Sequence, residues 1–417
     1  MVQITRRKFM QGSVVAVAGG IYMPQLFVRA LRIAEADGSK PVTAGPDQGN
    51  TLIIIQLAGG NDGLNTVVPY QNGTYYSVRP TLAVKQNEVI PLNQELGLAP
   101  SLKDLKPIWD AGHLAIVDGV GYNNPNFSHF EAMDIWQTAD PLLQKHDGWL
   151  STLVDGYVDR NGHPLGAVGL GSGIPPALCC PPVPPPVVDS PASYKLFSDP
   201  RYPKTAGLRE SALQQLYASY KAPAPYAALL DSTQTSAAAS TAALQSIVTG
   251  YQPKVQYPSN SLADGLKLFA SLVAGGHGLR IGYVILGGFD THADQYAHQQ
   301  SLLQTLSTSV AAFYNDLAAQ GKSDDVLVVT WSEFGRRVAE NTSQGTDHGS
   351  AAPMFVLGGK VKGGMLGEPP DLTNLDDGNL KFAVDFRSVY ASVLQEWLEV
   401  DSKSLLGQQF PTLPLLG

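Results

Sequence analysis

Carboxylates and histidines gather beside glycines at four places in this 417-residue chain. Asp62 lies in Gly-Gly-Asn-Asp-Gly, Asp290 and His292 in Gly-Gly-Phe-Asp-Thr-His, Glu333 in Ser-Glu-Phe-Gly-Arg-Arg, and Asp347 and His348 in Gly-Thr-Asp-His-Gly. Carboxylate oxygens and neutral imidazoles are ordinary ligands for zinc and similar divalent ions, and flanking glycines let the backbone turn tightly enough to aim neighbouring side chains at one point. A fifth polar loop, 119–130, holds Ser128 just ahead of a predicted helix, where free N–H groups and the positive end of the helix dipole favour an anion. Ser128 reads either as a nucleophile facing a phosphate or sulfate group or as a plain helix cap. Arg336 offers a planar fork that could clamp such a group, or it belongs to a structural ion pair.

The elements that must position these residues alternate. Apolar, β-branched runs predict strands at 51–57, 114–117, 167–170, 281–286, 326–330 and 354–359. Apolar residues at helical spacing predict helices at 98–109, from 131, at 262–275, over a stretch carrying Leu302, Leu303, Leu306, Val310, Phe313 and Leu317, and at 387–400. This order is that of an α/β fold with a largely parallel central sheet flanked by helices. The carboxyl ends of parallel strands share one edge of the sheet, so Asp62, Asp290, His292 and Glu333, with Ser128, are expected to meet there, and Asp347 and His348 with them. Dinucleotide binding is excluded by the glycine spacing after 51–57, and no phosphate loop follows it.

With 44% hydrophobic and 15% charged residues the chain can bury a large core, and its formal charge of −8 argues against nucleic acid as a partner. The N-terminus, Thr5-Arg6-Arg7-Lys8-Phe9-Met10 followed by an uncharged stretch from Gly12 to Met23, resembles a twin-arginine (Tat) export signal. That stretch is too short and weakly apolar for a stable transmembrane anchor. Cleavage after Ala34-Glu35-Ala36 would remove five basic residues and one acid, leaving 23 against 35, or −12. The expected organisation is a signal peptide at 1–36, a linker at 37–50 and one domain at 51–417 with a Pro- and Ala-rich insertion or cap at about 172–260. Cys179 and Cys180 are adjacent, and read either as free thiols or as a vicinal disulfide.

The export signal together with Leu-Ala-Gly-Gly-Asn-Asp-Gly-Leu-Asn, Asn-Phe-Ser-His-Phe-Glu-Ala-Met-Asp-Ile-Trp, Phe-Asp-Thr-His, Ser-Glu-Phe-Gly-Arg-Arg and Gly-Thr-Asp-His-Gly resembles the exported bacterial family called domain of unknown function 1501. That family is grouped with the alkaline phosphatase and sulfatase superfamily. The resemblance implies an alkaline phosphatase/sulfatase-like fold and an exported, periplasmic or secreted hydrolase of phosphate or sulfate esters. It implies Ser128 as nucleophile beside one or two divalent ions, with zinc as the first expectation and Mg, Mn or Ca as others. Asp62 matches the superfamily's first-strand aspartate, Asp347 and His348 its metal pair, and Asp290 and His292 the second metal's ligands, although Asp294 and His298 fit the Asp-x-x-x-His spacing better. No histidine follows His348 to match the superfamily's last ligand, so either Glu333 or His129 takes that place or the second site is degenerate. Expected partners are a small phosphate or sulfate ester and, during export, the Tat translocase. The other reading is a non-catalytic exported protein that binds a metal or ligand on the same fold.

Overall fold

The run Leu52-Ile53-Ile54-Ile55 has no polar face, so a strand built from it must be covered on both sides. A computed structural model describes residues 49–158, 165–171, 173–179, 185–188 and 246–417, together with positions 208, 211, 212, 215 and 244. The export signal, most of the 37–50 linker and much of the 172–260 insertion lie outside the described residues. The strands, in chain order, are β1 (Thr51–Ala58), β2 (Val67–Val68), β3 (Ile90–Pro91), β4 (Gly97–Leu98), β5 (Leu114–Gly121), β6 (Ala167–Leu170), β7 (Val187–Val188), β8 (Ile281–Gly287), β9 (Val326–Trp331), β10 (Ala352–Leu357), β11 (Gly364–Leu366) and β12 (Val384–Asp385).

Nine of these form the main sheet in the order β11-β5-β10-β9-β1-β8-β6-β7, with β12 beside β5. β1 is central and parallel to both neighbours, β8 and β9. β10 alone among the nine runs against the rest, antiparallel to β5 and β9. The sequence expectation of a largely parallel sheet flanked by helices therefore holds, with one reversed strand. That reversal brings the start of β10, and the loop leading into it, to the edge where β1, β5, β8 and β9 end. β2, β4 and β3 make a separate small antiparallel sheet.

Alternate residues of the central strands feed two cores. Ile53, Ile55, Leu57, Val326 and Val328 face Phe269 and Leu303 or Phe313, which come from α3 (Ser261–Ala274) and α4 (Gln295–Ala319); these helices follow α1 (His129–Thr138) and α2 (Ser151–Val158) in the chain. Leu52, Ile54, Leu327, Val329 and Trp331 face the opposite way, onto Trp136 of α1 and Val389 and Tyr390 of α5 (Phe386–Ser392). Trp136 and Trp331 stack almost parallel, 5.4 Å between ring centres, fixing the last turn of α1 against the end of β9. The predicted helix at 387–400 is α5 followed by a π-helical turn at Val393–Trp397. The one predicted at 98–109 is a 3-10 helix running into a short α-helix. Cys179 is disulfide-bonded, not a free thiol, and Cys180 lies outside the described residues. Among the described residues no helix is long and apolar enough to cross a membrane.

Asp118 in β5 is an acid inside this core, 6% exposed; its Oδ1 accepts from Gly119 N–H at 2.8 Å, and its Oδ2 has no partner. Burial pushes its carboxyl up to about 6, against the lowering effect of the Gly119 N–H. The fold therefore favours the protonated acid. That contribution is complete below the unfolded value of about 4 and is lost as pH rises through about 6, roughly 2–3 kcal/mol in all. We expect Asp118→Asn to flatten this part of the stability profile, read as urea midpoints from pH 4 to pH 8; parallel profiles for the two proteins would refute the assignment.

Candidate metal centre

The loops after β1, β5, β8 and β9 meet at one edge. After β1, Gly59 and Gly60 take positive φ values of 119° and 80°. A Cβ on Gly59 would lie 2.3 Å from the backbone nitrogen of Asp290, so only glycine lets the β1 loop approach the β8 loop this closely. After β9, the chain folds into a hairpin: Gly335 and Arg337 N–H groups donate to Ser350 and Asp347 carbonyls at 3.0 Å each, and Gly349 N–H donates to Gly335 at 2.8 Å. This hairpin, bridging Arg336 to His348, carries His348 back to the ends of β1 and β8.

Three imidazoles and one carboxylate converge there. His129 Nε2, His292 Nε2 and His348 Nε2 lie 3.4, 3.1 and 3.4 Å from Asp290 Oδ1, and the last two nitrogens are 2.9 Å apart. His129, Asp290 and His348 offer donor atoms all within 4.8 Å of one another, a grouping that could hold a metal ion. Each ring is held from behind by its other nitrogen. His129 Nδ1 faces Glu333 Oε1 at 2.9 Å, His348 Nδ1 the Phe127 carbonyl at 2.7 Å, and His292 Nδ1 Asp347 Oδ1 at 3.3 Å. A carbonyl or a carboxylate can only accept, so a proton on Nδ1 satisfies each of these contacts and leaves an Nε2 lone pair turned to the cluster.

Lone pairs that face each other at 2.9 Å repel unless a cation lies between them. A proton is disfavoured at His348: burial lowers its basicity, as does the charge of Arg336, against the raising effects of the Phe127 carbonyl and Asp290. A divalent ion fits. Ligands at about 2.0–2.1 Å from a tetrahedral ion are about 3.3 Å from each other, close to the separations seen here, and three imidazoles with one carboxylate are a zinc-type donor set. His129 Nε2 is buried and without a hydrogen-bond partner, which is how an unloaded ligand would look. Burial raises Asp290, but the hydrogen bond and charge of Arg336, with His129 and His348, hold its carboxyl down at about 2, in the ligating form.

The sequence-predicted residues divide accordingly. Asp290, His292 and His348 are brought together. Glu333 is fully buried and stands behind His129, its Oε1 also taking the Gly59 N–H at 2.7 Å. Asp347 stands behind His292 and is shared with Asn341 at 3.2 Å. Both occupy the place of acceptors that orient a ligating histidine, and neither points into the cluster. Asp62 is bonded elsewhere: its Oδ2 pairs with Arg79 Nη1 at 2.6 Å, both side chains wholly buried, and takes a short hydrogen bond from Gln295. A guanidinium thus stands where the resemblance placed a metal ion. Arg336, expected as a clamp on substrate, is 2% exposed, and its three nitrogens donate to the carbonyls of Gly59, Gly60, Phe289 and Thr346 and to Asp290. Its Nη1 also lies 3.5 Å from His292 Nε2, so this side of the guanidinium borders the cluster. His298 meets the Gly288 carbonyl at 2.9 Å, and Asp294 is the N-cap residue of α4 in a left-handed conformation; they form no Asp-x-x-x-His pair in the cluster. His129 is the candidate ligand that motif reading named only as a substitute, and the Ser-His-Phe stretch was its signal. Arg79 had no signal, since nothing local marks it as Asp62's partner.

Ser128 is the N-cap residue of α1 and is exposed, yet its side chain makes no capping bond. The hydroxyl is therefore free, one residue from His129.

We expect one zinc-type ion per chain by elemental analysis. Asp290→Asn and His348→Ala should lose it. Asp62→Asn should keep it while losing about 3–5 kcal/mol of stability, because Arg79 is left buried and unpaired. Glu333→Gln should hold the ion about 10–100 times more weakly against a chelator. Two ions in the wild type, one of them lost with Asp62→Asn, would reverse the roles given to Asp62 and Asp290.

Solved structures similar to this chain include the sulfatase PsFucS1 from Pseudoalteromonas sp., at 10% identity and TM-score 0.35 over 92% of this chain and 71% of that one. Another is the C-terminal periplasmic domain of EcEptC from Escherichia coli in complex with Zn, at 10% identity and TM-score 0.34 over 77% of each chain. A third is a mutant of TAB5 alkaline phosphatase with Mg bound, at 10% identity and TM-score 0.32 over 75% of this chain and 92% of that one. No curated protein matches the chain in sequence. Residues 213–394, which carry Asp290, His292, Glu333, Arg336, Asp347 and His348, match the model described as Protein of unknown function (DUF1501).

Proposed function

We propose that this chain is an exported, metal-dependent hydrolase of phosphate or sulfate esters. The observation that carries the reading is the convergence of three imidazole Nε2 atoms on Asp290 Oδ1 with each Nδ1 already engaged. When bound, a zinc-type ion supplies Lewis-acid stabilisation of developing negative charge and lowers the pKa of a coordinated oxygen. His129, His292, His348 and Asp290 would hold it; Glu333, Asp347 and the Phe127 carbonyl keep the three rings in the tautomer that ligation needs. The site is open to substrate, since the side chains of Asp290 and His292 are 50% and 45% exposed.

Ser128 supplies the nucleophile in this reading. Its Oγ is free of capping, and it stands at the positive end of α1, where an anionic phosphate or sulfate group is favoured. The bond from Oγ to phosphorus or sulfur forms as the bond to the ester oxygen breaks, and the hydroxyl proton ends on the departing oxygen as an alcohol. Water then cleaves the serine ester, returning Ser128 and releasing inorganic phosphate or sulfate. Export through the twin-arginine route, with removal of residues 1–36, goes with this reading, because that route carries folded proteins and the ligands here are far apart in sequence.

With the ion-loaded protein, we expect hydrolysis of an aryl phosphate or an aryl sulfate, and Ser128→Ala should lower kcat by on the order of a thousandfold or more with ion content unchanged. Turnover that survives Ser128→Ala would hand the attack to water. Absence of turnover on both ester classes by the loaded wild type would favour the non-catalytic, metal-binding reading.

A further inference from the structure

The mouth of the centre is rimmed by phenylalanines that the fold does not bury. Phe130 is 82% exposed, Phe127 is 41% exposed and Phe382 is 37% exposed. Each is tied to the site. The Phe127 carbonyl accepts from His348 Nδ1 at 2.7 Å, Phe130 follows His129 in the first turn of α1, and Phe382 lies against Gly121, the last residue of β5, and near Ala351, three residues beyond His348. Among the described residues none of the three rings stacks on another aromatic ring, whereas Phe334, beneath the cluster, is buried and packs on both His129 and His348, with ring centres 4.9 and 4.5 Å apart. The inner ring is structural. The outer rings leave apolar surface uncovered, and Phe127 and Phe130 bracket Ser128 and His129 in the chain.

We propose that this rim selects the ester's leaving group, and that the substrate carries a flat ring with an apolar face, an aryl group or the apolar face of a sugar, which lies on Phe130 with Phe382 as a second wall. This rests on the ester-hydrolase reading of the centre. The anionic head would be held at the ion and the N-terminus of α1, while the ring beyond the ester oxygen covers apolar surface that is otherwise in water. Continuity with the ligand shell favours a substrate over a protein partner: the same residues that expose the rings flank or hold the histidines.

Binding of non-hydrolysable anions separates this proposal from the reading beneath it. With the zinc-loaded full chain, phenylphosphonate should bind about tenfold more tightly than methylphosphonate by calorimetry. Phe130→Ala and Phe382→Ala should each remove much of that preference and leave methylphosphonate affinity and ion content unchanged, while Phe130→Trp should keep it. Cyclohexylphosphonate, compared in the same way, distinguishes an aryl requirement from acceptance of any ring face. Equal affinity for the phenyl and methyl compounds in the wild type, or a preference that survives both alanine substitutions, overturns the rim's role and leaves the hydrolase reading standing. If neither anion binds the zinc-loaded protein, the hydrolase reading falls and takes this proposal with it. A chain that self-associates in sedimentation, and dissociates on Phe130→Ala, would assign the rings to contact between copies and overturn the proposal.

Discussion

The Arg336 guanidinium is the interaction on which the site's geometry depends. It lies in the interior and reaches the backbone after β1, the backbone and Asp290 after β8, and the Thr346 carbonyl in the hairpin after β9. Three loops that share no secondary structure are thereby fixed to one planar group. A cation at this depth is tolerable because its donors are matched by carbonyl oxygens and one carboxylate, so little of its hydration is lost without replacement. Lysine could not take its place, having a single nitrogen where this arrangement uses three in fixed directions.

Two acid–arginine pairs sit near this edge, and they show how burial divides structural from chemical roles. Asp62 and Arg79 are both sealed; Asn65, Gln295 and the carbonyls of Arg337 and Val338 bond to the pair, while Asp62 Oδ1 has no hydrogen-bond partner. Asp290 pairs with an equally buried arginine, but its own side chain is half exposed and three imidazole nitrogens share its Oδ1. The first pair is closed to solvent and ties the β1 loop to Arg79 and Gln295. The second leaves a carboxylate facing outward among lone pairs, which is a place for a cation.

Much of the fold was legible in the sequence because its central strands are long, β-branched and buried on both faces, so composition alone marks β1, β8 and β9. The reversed direction of β10 was not, since an apolar run has the same pattern in either direction and only pairing decides. The site was legible as a set of strand-end motifs, but not as an inner and an outer layer. Asp290 and Glu333 both follow buried strands; that one meets imidazole Nε2 atoms and the other an Nδ1 is set by ring orientation, which no local spacing encodes. His129 was overshadowed by its neighbour Ser128 for the same reason. Asp62 looked like a ligand because its partner Arg79 approaches it through the tertiary fold.

The central position of β1 also sets the order in which the molecule can be made. It is the first strand among the described residues, yet both of its neighbours in the sheet come from the last third of the chain: Leu52 lies opposite Ile281 and Thr51 opposite Val326. The hydrogen bond from Gly59 to Glu333 spans 274 residues. Contacts of such separation are closed slowly, after a large loss of chain entropy, and during synthesis the first strand has to wait without a partner for more than two hundred residues. The centre therefore comes into being only once the chain is essentially complete, and no N-terminal fragment ending before β8 could hold the ion.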